Sequence, residues 1–120
     1  SGMGRLLALA KGTGAQVLWI SPPPTAERFE TCLTGGDVTP CNGPTNRSDQ
    51  KIAAYGAQAK ASKVSFWDLT QTFCTKGICP AFIGGYPVRL DGGHLTARIM
   101  DSTRTSLEQA LLTVPGVKRA

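Results

Sequence analysis

The chain has 120 residues, room for one compact domain. Hydrophobic residues make up 41% and charged residues 18%, which excludes a disordered or fibrous chain, and no apolar run approaches the ~20 residues needed to span a bilayer. The net charge of +5 comes from 13 Lys and Arg scattered along the sequence without a basic stripe interleaved with aromatics, so it reads as a solvated surface and not as a nucleic-acid interface.

Ser1, Gly2 and Met3 read as a cloning remnant, and no secretory signal is visible. In "GRLLALAKGTGAQ" (Gly4 to Gln16), Leu6, Leu7 and Ala10 can share one helical face, and Gly12 and Gly14 stop the pattern. "QVLWIS" (Gln16 to Ser21) is a short run of β-formers, a candidate buried strand ended by Pro22, Pro23 and Pro24, because proline cannot extend a ladder.

Residues 25–47 are irregular and carry Cys32 and Cys41. A loop this long needs a clamp or a function. "SDQKIAAYGAQAKAS" (Ser48 to Ser62) predicts a helix with Ile52, Tyr55 and Ala59 at helical spacing, capped by Ser48 or Asp49. "KVSFWDLT" (Lys63 to Thr70) predicts a second strand. The order helix, strand, helix, strand favours a parallel α/β sheet. A second irregular stretch, Gln71 to His94, holds Cys74 and Cys79. "TARIMDSTRTSLEQALLTV" (Thr96 to Val114) predicts a closing helix, with Thr96 as its N-cap, a stripe of Ile99, Thr103, Leu107 and Leu111, and Pro115 past its end.

Each cysteine pair brackets a short loop with glycine. Four cysteines allow three pairings, and proximity favours Cys32 with Cys41 and Cys74 with Cys79. Each bridge would contribute on the order of 2–3 kcal/mol by the chain-entropy argument. Four zinc-ligating thiolates or free thiols are the alternatives, and the eight-residue spacer between Cys32 and Cys41 fits a zinc knuckle poorly. Two disulfides imply an oxidising, extracytoplasmic compartment.

The only histidine, His94, lies in "VRLDGGHLTARI", a loop between a strand region and a helix. In parallel sheets, ligand sites gather beyond the carboxyl ends of strands. A histidine base needs its far nitrogen held by an acceptor. Asp91, three residues earlier, can supply it if the backbone bends tightly, and Gly92 and Gly93 permit such a bend. The bland alternative is a glycine turn with an incidental histidine.

"CPAFIGGYPVRLDGGHLT" resembles the last block of an SGNH/GDSL-type hydrolase domain, in particular the domain fused to the C-terminus of bacterial acyltransferase-3 membrane proteins. The Asp-x-x-His-Leu-Ser/Thr element of that group is matched by Asp91, His94, Leu95 and Thr96, and its Phe-Cys…Cys-Pro segment by Phe73, Cys74, Cys79 and Pro80. The strands "VLWISPPP" and "VSFWDLT" fit the blocks before it, so the resemblance runs from Leu6 to Leu112.

The resemblance implies a three-layer α/β/α, flavodoxin-like fold with a parallel sheet, of which residues 4–120 are the C-terminal portion, incomplete alone. It implies that His94 and Asp91 belong to a Ser-His-Asp triad, without metal or cofactor. The family's nucleophile lies in an early Gly-Asp-Ser block, and its oxyanion donors in further blocks, all preceding the region matched here. No substitute stands out. Gly35, Gly36 and Asp37 are followed by Val38, and Ser21, Asn42 and Asn46 read as loop and cap residues.

The expected function is therefore part of an extracytoplasmic serine acyltransferase or esterase that O-acylates a cell-envelope glycan, inactive as this chain alone. Its partners would be an acyl donor, a glycan or small-molecule acceptor, the nucleophile-bearing part of the same protein and a tethering acyltransferase membrane domain. Uncovered helix faces could also make the fragment self-associate. The alternative is a glycan-binding or assembly module with the same fold and no catalysis.

Overall fold

The computed structural model describes residues 1–24, 34, 36, 41–44, 46–91 and 93–119, with the side chains of residues 44 and 46–49 left aside. Helix α1 (Gly2–Gly12) starts on the Ser1 hydroxyl, which accepts the Gly4 N–H, so Gly2 and Met3 lie inside an ordered helix. Strand β1 (Leu18–Ile20) and, further on, strand β3 (Ser65–Trp67) form the parallel pair expected from the element order, with Trp19 opposite Phe66 and Ile20 opposite Trp67. Both strands are shorter than their apolar runs. The Ser21 N–H still donates to Trp67 O at 2.9 Å, carrying the ladder one step further.

Helix α2 (Asn46–Ala61) covers one face of this pair. Its Tyr55 meets Trp19 at 5.3 Å between ring centroids, and Trp19 meets Phe66 edge-on at 5.9 Å. The helix runs close to β3 at Gly56, where a Cβ would stand 3.4 Å from the Phe66 ring. The helix begins at Asn46, so Ser48 and Asp49 fall in its first turn and not at its cap.

Asp68 ends β3. The sequence extends this strand to Thr70, but the Asp68 carboxylate accepts the Thr70 N–H at 2.8 Å and caps a short helix, α3 (Leu69–Phe73). The other side of the sheet is built here. Leu69, Phe73, Val88 and Ile99 form a buried cluster, with Trp67, Cys74 and Leu95 packed against it.

The stretch from Gln71 to His94 holds more structure than its composition shows. Strand β2 (Gly43–Pro44) pairs antiparallel with β4 (Ile78–Cys79), placing Gly43 opposite Cys79. Lys76 and Gly77 both take left-handed φ, +50° and +77°, and Thr75 and Ile78 exchange hydrogen bonds across them at 2.9 and 3.0 Å. That is a two-residue hairpin turn of the type that matches strand twist. Gly84 and Gly85 repeat it, with φ of +57° and +81°, between β5 (Phe82–Ile83) and β6 (Tyr86–Pro87).

The closing helix is two helices, α4 (Ala97–Ser102) and α5 (Arg104–Leu112). The Ser102 and Thr103 hydroxyls donate back to Ile99 O and Met100 O at 2.6 and 2.7 Å, competing with the helical ladder at the break. Ile99 and Thr103 are buried as the stripe predicts, whereas Leu107 is half-buried and Leu111 exposed. Arg98 of α4 stacks 4.4 Å above the Tyr86 ring and ties the helix to β6.

Helices and a small parallel sheet thus make an α/β arrangement that leaves much apolar surface open. Leu6, Leu9, Ile20 and Leu90 are all exposed, and the radius of gyration of 16.2 Å exceeds the ~13.6 Å of a closed domain this long. An α/β domain with layers still to be covered has these properties.

Candidate active site

The segment Val88 to Thr96 is a hairpin whose arms are fixed before its tip is reached. Val88 is fully buried, its N–H donates to Ala81 O at 2.8 Å, and its carbonyl accepts the Thr96 N–H at 3.0 Å. Arg89 and Leu95 bridge antiparallel, and the Leu90 N–H donates to His94 O at 2.8 Å. Thr96 then does two jobs with one hydroxyl, donating to Pro87 O at 2.8 Å and accepting from the Ile99 N–H at 3.4 Å as the predicted cap of α4.

Between the arms, Asp91 folds the tip around its own carboxylate. Oδ1 accepts the N–H groups of Gly93 and His94, both at 2.8 Å, and Oδ2 lies 2.7 Å from His94 Nδ1. The Gly93 N–H, the His94 side chain and the His94 N–H, in that order, hold the Asp91 carboxyl down to about 2 against an ordinary 3.8. An ionised carboxylate only accepts, so Nδ1 carries the proton and Nε2 presents a lone pair when the ring is neutral. Nε2 has no partner among the described residues, and the His94 side chain is 81% exposed.

At Gly93 the bend does not call on the conformational freedom of glycine. Gly93 lies outside the left-handed region, and a Cβ there would meet only Asp91 Oδ1, at 3.9 Å. Gly92 lies outside the described residues.

The hairpin sits at the carboxyl ends of both parallel strands. Leu95 packs on the same buried cluster as Trp67, the last residue of β3, while the Arg89 side chain reaches Pro24 O, four residues beyond β1. Ser21, at the end of β1, is 3% exposed; its Oγ accepts the Leu69 N–H at 2.8 Å and donates to Pro22 O at 3.1 Å. That buried hydroxyl joins the two strand ends, and both of its hydrogen bonds go to the main chain. Asn42 Oδ1 accepts the Ala81 N–H at 2.8 Å, a loop contact as expected. Asn46 opens α2, and its side chain, like Asp37, is outside the described residues.

Cys74 and Cys79 are bridged to one another, closing the Thr75–Ile78 turn. Cys41 is disulfide-bonded and buried against Ala81; Cys32, its expected partner, is outside the described residues. Arg89 is what sequence reasoning missed. An arginine counts by default as surface charge, and its acceptors, Pro24 and Pro80, are not its neighbours in sequence.

Comparison with known proteins adds one finding. No curated protein and no solved structure matches this chain. A family model described as "SGNH domain (fused to AT3 domains)", where AT3 is acyltransferase-3, matches residues 2–104, most of the chain. The match spans β1, β3, the Cys74–Cys79 turn and the Asp91–His94 hairpin. The chain belongs to the SGNH domain family, in the branch whose members are fused to AT3 domains.

Proposed function

We propose that Asp91 and His94 are the orienter and general base of a Ser-His-Asp triad, and that residues 4–120 form the C-terminal portion of an SGNH domain whose nucleophilic serine lies in its earlier blocks. Family membership supports an acyltransferase- or esterase-like module beside an AT3 membrane domain. The observation that carries the finer reading is the 2.7 Å contact between Asp91 Oδ2 and His94 Nδ1, which leaves Nε2 open at the carboxyl end of the sheet. Among the described residues no serine hydroxyl touches that nitrogen.

In this scheme Nε2 takes the serine hydroxyl proton as Oγ attacks the acyl carbonyl of the donor. The tetrahedral intermediate collapses, and the proton passes from Nε2 to the leaving group. The acceptor hydroxyl then loses its proton to Nε2 and attacks the acyl-serine. A new ester forms, and the serine oxygen regains the proton. Asp91 stabilises the imidazolium that exists between transfers and stays ionised throughout. The acceptor would be a sugar hydroxyl of a cell-envelope glycan, outside the cytoplasmic membrane. Disulfides, which persist in oxidising compartments, support that setting. Among the described residues no helix is long and apolar enough to cross a membrane; family membership supports tethering through an AT3 domain.

A fluorophosphonate that reacts with activated serines tests the reading on the longer protein. Labelling of a serine outside residues 4–120, lost in His94→Ala, is the expected result. A labelled serine whose reactivity is unchanged in His94→Ala would refute the triad, and a protein that takes no label at all would favour a binding module.

A further inference from the structure

Arg89 is 2% exposed and has no carboxylate partner among the described residues. Burying a guanidinium is costly unless its N–H groups are bonded, and burial pushes its pKa below the ordinary arginine value without discharging it. Among the described residues all of its side-chain bonds go to main-chain carbonyls. Nε and Nη2 donate to Pro24 O at 3.1 and 2.9 Å, and Nη1 donates to Pro80 O at 3.4 Å.

The acceptors explain why a charge serves here. Pro24 closes a run of three prolines and Pro80 follows Cys79. Segments without N–H groups cannot enter a ladder, yet their buried carbonyls still need donors. One planar fork supplies two of them. Lysine, a point charge on a flexible stem, could not keep two N–H groups on Pro24 O while a third faces Pro80 O.

The three segments joined by this fork are the exit of β1, the exit of the Cys74–Cys79 turn and the ascending arm of the Asp91–His94 hairpin. The Arg89 main chain is itself one rung of that hairpin, bridged to Leu95. Asp91 lies two residues further on. Nothing else among the side-chain hydrogen bonds of the described residues reaches from this hairpin to the carboxyl end of β1.

We propose that Arg89 is the positioning residue of the Asp91–His94 pair, holding the hairpin against the exit of β1 so that the carboxylate and the imidazole stay in register. The catalytic meaning of this assignment rests on the triad reading above; the positioning does not.

NMR on this chain tests it directly, because His94 is the only histidine and its ring signals need no disentangling. Arg89→Lys keeps the charge and loses the fork, and Arg89→Met keeps the bulk and loses both. In folded variants, reported by intact ring-current shifts around Trp19, the Asp91 carboxyl titration should move from about 2 towards 3.8. The hydrogen-bonded Nδ1–H signal of His94 should broaden away. A folded variant with the wild-type Asp91 titration and Nδ1–H signal would overturn the proposal.

Native-state hydrogen exchange on the unmutated chain gives a second test that does not depend on variants folding. The Arg89 Nε–H and the Leu90 and His94 amides should exchange through one opening, with a common denaturant dependence. Separate openings would overturn the proposal. In the longer protein, Arg89→Lys should lower kcat about a hundredfold with KM little changed, as expected for ångström-scale misplacement of a base. A shifted Asp91 titration beside full activity in His94→Ala would leave the positioning standing and remove the triad.

Discussion

Asp91 and His94 are joined twice, by different oxygens of one carboxylate. Oδ1 accepts the His94 main-chain N–H at 2.8 Å and shapes the turn, while Oδ2 faces Nδ1 at 2.7 Å and sets the ring. The residue that holds the ring is also the residue that folds the loop carrying it. Substitutions can separate these two roles.

In Asp91→Asn the amide oxygen can still accept the Gly93 and His94 N–H groups, so the turn should persist. The amide nitrogen is then left facing Nδ1 and donates to it, which holds the ring in the tautomer with Nε2 protonated. We expect a folded protein with nearly wild-type amide shifts at residues 93–94, and acyl transfer by the longer protein reduced by about 10⁴ in kcat. Asp91→Ala should additionally lose the turn, seen as collapse of those amide shifts towards random-coil values.

The turn should also resist acid. A depressed carboxyl pKa contributes stability that is fully present above the unfolded value, near 3.8, and is lost as pH falls through the folded value of about 2. Following the Asp91 side-chain carbon by NMR from pH 6 to pH 1.5, we expect a midpoint near 2, with the His94 amide shift moving in step. A midpoint at 3.8 would mean that the carboxylate is not held as described.

Gly93→Ala should be tolerated. Its φ lies outside the left-handed region, and the added methyl meets only an ordinary van der Waals contact. Removing a glycine from the unfolded chain should then raise stability by about 0.4–1 kcal/mol, measurable by urea denaturation. A loss of more than that would show that the position needs glycine.

The sequence carried the order of the first helices and strands and the pair at the candidate site for clear reasons. Helical spacing over 48–62 and β-formers around Trp19 and Phe66 are one-dimensional signals, and a lone histidine three residues after an aspartate is hard to overlook. What stayed hidden depended on partners distant in sequence or on main-chain geometry. Asp68 reads as part of a strand until its carboxylate is seen capping α3. The final helix reads as continuous because serine and threonine do not announce when they will bond backwards. Arg89 reads as surface charge, and its acceptor at Pro24 is 65 residues away.

The bridge between Cys74 and Cys79 encloses only the four-residue turn, so its entropic contribution is small for a disulfide, about 2 kcal/mol. The paired Cys74→Ser and Cys79→Ser substitutions should cost about that much in urea denaturation under oxidising conditions. Peptide mapping without reductant should recover Cys74 with Cys79, and Cys41 with Cys32. Recovery of Cys32 linked to Cys74 or Cys79 would overturn the local pairing.

The central claim is that His94, oriented by Asp91, is the proton carrier of acyl transfer. The most direct measurement is kcat for acyl transfer by the longer protein, wild type against His94→Ala, with expression and melting temperature matched. The account predicts a loss of 10⁴-fold or more, roughly what removal of a triad base costs elsewhere, with no further loss when Asp91→Asn is added, because the two act as one unit. Equal kcat in wild type and His94→Ala would contradict it.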